Sequence, residues 1–94
     1  MSADLDKLID DFVKLLRNRE LHQLANAISN TDKNVLKSAL ILAIAKNYFN
    51  KDKIIDDLRN IAISTGYNVP EINSEDRLEI QKGIDLIRSQ ISPF

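Results

Sequence analysis

Ninety-four residues with 44% hydrophobic and 29% charged side chains make one globular domain spanning residues 1–94, too apolar to stay disordered. Two glycines and two prolines are too few for the frequent turns of an all-β domain, and the absence of cysteine excludes a disulfide framework, a thiolate metal site and a cysteine nucleophile. A net charge of −1 provides no overall attraction to nucleic acid or to anionic lipid.

The expected fold is therefore all-α: an antiparallel bundle of four to five helices with an aliphatic core. The N-terminal Met1-Ser2-Ala3-Asp4 carries neither the basic nor the apolar stretch of a secretion signal, which makes cytoplasmic the expected location. The longest apolar run, residues 39–45, is far shorter than the roughly 20 residues a membrane span needs.

Along the chain, Leu5, Leu8, Ile9, Phe12, Leu15 and Leu16 follow a helical stripe and predict a first helix over about 4–17. Asp4 and Asp6 at its start, with Lys14 and Arg17 at its end, suit the helix dipole. Leu21 breaks the phase, so a kink or turn is expected at Asn18-Arg19, followed by a short helix over 20–29 carrying Leu24, Ala25 and Ile28. Asn30 to Asn34 are good capping residues and begin a third helix over about 32–49. That helix is apolar nearly all round from Val35 to Ala45, which predicts the buried centre of the bundle.

Asn50 is expected to cap a fourth helix, striped by Ile54, Ile55, Leu58, Ile61 and Ala62 and closed by Gly66. After a loop through Pro70, Asn73 or Ser74 caps a last helix to Ile91, with Ile80, Ile84, Ile87 and Ile91 on one face. Like-charged pairs four residues apart, Asp6/Asp10, Asp52/Asp56 and Glu75/Glu79, have Lys14, Arg59 and Lys82 nearby, so local compensation on solvated helix faces is expected.

Three motifs bear on function. Arg17-Asn18-Arg19-Glu20-Leu21-His22 is similar to the Arg-x4–6-His motif of the HEPN ribonucleases, small helical domains that carry it on a late helix. The resemblance covers six residues near the start of this chain. It implies Arg17 against a scissile phosphate and His22 in acid–base work. Leu24, Ala25, Ile28 and Val35 fall where a helix-turn-helix needs small or apolar residues, although the would-be recognition helix is the most apolar in the chain.

The third motif concerns cations. Asn30, Asp32 and Asn34 offer oxygens as an EF-hand loop begins, but Val35 and Ile41 stand where its glycine and bidentate glutamate belong. Glu71, Asn73, Glu75, Asp76 and Glu79 form a richer set across the loop and the last helix start, where weakly bound Ca2+ is expected with loop carbonyls assisting. Helix capping is the plainer role for the same residues. The functional expectation is a non-enzymatic helical binding module, monomer or homodimer, with a protein partner and weak calcium binding. The alternative is a nucleic-acid-binding domain or HEPN-like ribonuclease.

Overall fold

A computed structural model describes residues 2–91. Among these, five helices and no strands form the chain: α1 (Ser2–Asn18), α2 (His22–Ser29), α3 (Lys33–Lys46), α4 (Lys51–Ser64) and α5 (Ser74–Ile91). None of them is long and apolar enough to cross a membrane.

Helix boundaries follow local chemistry. Asp32 Oδ1 accepts from the amides of Asn34 and Val35, Asn50 Oδ1 from that of Lys53, and Asn73 Oδ1 from that of Asp76. Each cap satisfies amides that have no partner within the helix. Gly66 ends α4 at φ 100°: its amide donates to Ile63 and that of Tyr67 to Ala62, the Schellman pattern. The same pattern ends α1, where Glu20 donates to Arg17 and Leu21 to Leu16. There the left-handed residue is Glu20, at φ 60°, a conformation that strains a residue with a Cβ. It turns the chain so that Leu21 folds back onto the core.

The third helix is shorter than expected, ending at Lys46 instead of Phe49. Asn47 leaves helical geometry at φ −126°, and its side-chain amide donates both to Ala43 O and to Asp57 Oδ2. These bonds replace the next helical turn.

The centre of the bundle is also elsewhere. The most extensive helix contact is between α1 and α5, which join Ile9, Phe12 and Leu16 to Ile80, Ile84 and Ile87. Gly83 makes this approach close, because a Cβ there would stand 2.6 Å from Phe12 Cδ1. Helix α4 adds Ile54, Ile55 and Leu58, and the loop before α5 anchors itself through buried Val69 and Ile72. Helix α3 lies at the edge. It buries Leu36, Leu40, Ala43 and Ile44, while Val35 and Leu42 remain 60% and 70% exposed. Its apolar circumference is two faces, one inward and one outward.

Two ion pairs tie this outer helix to α1. Lys33 Nζ lies 3.0 Å from Asp10 Oδ1, and Lys37 Nζ lies 2.7 Å from Asp6 Oδ1. The contact with Lys37 holds the Asp6 carboxyl below its ordinary pKa, against the opposing effect of burial and with further help from the charges of Lys37 and Lys33. A carboxylate whose pKa is depressed on folding adds stability above its unfolded pKa and loses it as pH falls through the folded value. The denaturant midpoint should therefore fall on acidification below about pH 4, and Asp6→Asn should flatten that part of the profile. An unchanged profile in Asp6→Asn would show that the pair contributes nothing.

Candidate functional site

Most of the cation-binding residues expected from sequence are engaged with the protein itself. Arg19, held in the turn after α1, reaches the start of α5. Its Nη2 bonds Glu75 Oε1 and its Nε bonds Asp76 Oδ1, both at 2.8 Å. These two acids, Glu75 foremost, raise the pKa of the guanidinium. Glu79 pairs with Lys82 at 2.9 Å, as read from sequence. Asn73 is the α5 cap. Glu71 approaches Arg59 only to 4.0 Å.

Three of the loop carbonyls are occupied as well. Arg59 Nε donates to the oxygens of Val69 and Pro70, and Arg77 Nε to that of Ile72. Arg77 also bridges Asp56 at 2.7 Å and Asp52 at 3.5 Å, and Asp56 foremost raises its pKa. Three guanidinium groups thus stand among the oxygens that calcium would need. In the other segment Asp32 caps α3, Asn34 supplies an amide to that cap, and Asn30 Nδ2 donates to the Tyr67 hydroxyl. Among the described residues no group of three or more His, Cys, Asp or Glu is placed to hold a metal ion. Calcium up to about 1 mM, the weak end for such modules, should shift amide resonances of residues 68–79 no more than those beside other exposed carboxylates. A saturable shift confined to that segment would establish a site.

The ribonuclease-like pair is likewise dispersed in its contacts. Arg17 donates to Asn26 Oδ1 and Ser29 Oγ. His22 opens α2 beside Leu21, Val69 and Pro70, in a depression that Arg17 does not line. In the helix-turn-helix arrangement, the face that α3 turns outward carries Val35, Ser38 and Leu42, which suits apolar contact better than phosphate.

That outward face forms the most distinctive surface feature. Val35, Ala39, Leu42 and Lys46 recur at i, i+4, i+7 and i+11 along α3, and Ile61 of α4 faces them across a groove. The floor at one end is the buried set Leu24, Ile28, Leu36 and Leu58, enclosing about 110 Å³. The other end is a depression of about 310 Å³ bounded by Leu42, Lys46 and Asp57. Ala39 and Ile61 border both parts, so the two adjoin. The sequence reading assigned Val35 and Leu42 to the core. Their spacing on a stripe separate from Leu36, Leu40 and Ile44 was the signal available for placing them outside.

Comparison with protein-family models, with curated proteins and with solved structures finds no match for this chain.

Proposed function

We propose that this protein is a small non-enzymatic helical module that docks another protein through the groove between α3 and α4. The observation that supports this reading is the succession of exposed Val35, Leu42 and Ile61 along two adjoining depressions, one of them with an apolar floor. Isolated exposed aliphatics are ordinary, whereas aliphatics grouped along a groove with a polar rim favour an interaction surface. Thr31 and Thr65 rim one end, and Lys46 and Asp57 the other.

Leu42→Lys and Val35→Lys place a charge in the groove without touching the core, so each should melt within a few degrees of the parent protein. A photoreactive residue at position 38, exposed on the outward face of α3 beside the groove, should crosslink in cells to a defined partner, and Leu42→Lys should remove that adduct. Purified partner should then bind the parent at least tenfold more tightly than Leu42→Lys. Undiminished crosslinking and binding in Leu42→Lys would refute the groove as the docking surface.

A further inference from the structure

We infer that the occupant of the α3/α4 groove is a single amphipathic helix of about three turns from a different protein, with an acidic side chain where its apolar stripe ends beside Lys46. This rests on the docking reading above and specifies the partner. The walls of the groove are two helices whose backbone amides and carbonyls are consumed by their own ladders. An extended peptide lying there would find no backbone partners and would bury its own polar groups unsatisfied. A helix brings its backbone already paired, which leaves only side chains to meet the apolar walls.

The dimensions agree. From Val35 to Lys46 the seam rises about 16 Å, the length of roughly eleven helical residues. Ala39, between the larger Val35 and Leu42, leaves a recess into which one apolar side chain of the partner fits, as knobs fit holes between packed helices. Lys46 makes no ion pair among the described residues. Asp57, which lines the same end, makes none either but is held by Asn47 Nδ2 at 2.8 Å, so an acid on the partner meets the lysine as the charge left without any bond. A second copy of this chain is a poorer occupant. A stable dimer uses about 20–30 residues a side, whereas the accessible walls here amount to little more than Val35, Ala39, Leu42, Lys46 and Ile61.

The test is selection from a display library of 14-residue helices carrying apolar residues at i, i+4 and i+7 and random residues elsewhere, with Leu42→Lys as counter-target. Selected helices should bind the parent in the micromolar range, weaken at least tenfold against Leu42→Lys and Ala39→Trp, and shift amide resonances of Val35, Leu42 and Ile61. Enriched sequences should carry Asp or Glu at one end, and Lys46→Glu should weaken them severalfold. Failure to select any groove-binding helix, or binding indifferent to both groove variants, overturns the helical occupant. Sedimentation separates the two levels of the argument. Self-association that Leu42→Lys abolishes would keep the docking groove and replace the helix with a second copy. A groove that neither self-associates nor crosslinks through position 38 would remove the docking reading itself.

Discussion

Phe12→Ala is expected to destabilise the protein by about 3–5 kcal/mol, a large fraction of the roughly 5–15 kcal/mol that holds a domain of this kind together. The ring is 3% exposed and lies against α5 at Gly83. Gly83 supplies an independent check with opposite signs for two mechanisms. Helix propensity alone would make Gly83→Ala stabilising by about 1 kcal/mol. The added methyl would stand 2.6 Å from Phe12 Cδ1 in a packed interior, and overpacking of this sort costs about 1–3 kcal/mol. Thermal melts should show Gly83→Ala below the parent, and Phe12→Leu should relieve much of that loss in the double variant. A more stable Gly83→Ala protein would mean that α1 and α5 do not meet at this point.

Leu40→Ala and Leu42→Ala should part widely although the two residues are near neighbours on one helix. Leu40 is 2% exposed and its truncation should cost about 2–5 kcal/mol. Leu42 is 70% exposed and its truncation should stay within about 0.5 kcal/mol. Urea denaturation of the pair reads the orientation of α3 directly. Equal losses would place both faces of α3 in the core and close the groove; equal indifference would detach the helix altogether.

Much of the architecture was legible in local pattern. The stripes Leu5–Leu16 and Ile80–Ile91 predicted the faces that α1 and α5 bury, because a 3.6-residue period sorts apolar from polar side chains without reference to a partner. Asn50 was readable as a cap, and the caps of α3 and α5 were readable to within Asn30–Asn34 and Asn73 or Ser74, because each acts on amides two or three residues away; the structure uses Asp32 and Asn73. Gly66 was readable as a helix end for the same reason. Glu20 performs the same turn at φ 60° and was not readable, since glutamate carries no preference for the left-handed region and is held there by the folding of Leu21 onto the core.

Charge placement was the least legible. The sequence suggested Lys14 and Arg59 as local counter-ions for the acid pairs of α1 and α4. The fold instead uses Lys33 and Lys37 from α3, and Arg77 from α5. Arg19 crosses from the first turn to Glu75 and Asp76, residues that sequence proximity presented as a cation site. Long basic side chains reach across helix gaps, and which acid they meet depends on how the helices are arranged.

The sequence by itself determined that this chain is helical, where its helices begin and end to within a few residues, and which stripe of α1 and α5 turns inward; on α4 it placed Ile54, Ile55, Leu58 and Ala62 correctly but also counted Ile61, which the fold leaves 44% exposed. Those outcomes depend on interactions between residues at most a few positions apart. Only the tertiary structure decided that α3, apolar around its circumference, lies at the edge and offers a second face outward. Burial of that helix depends on how many neighbours surround it. Here α1 and α5 occupy the centre, and the close approach at Gly83 and Phe12 lets them do so.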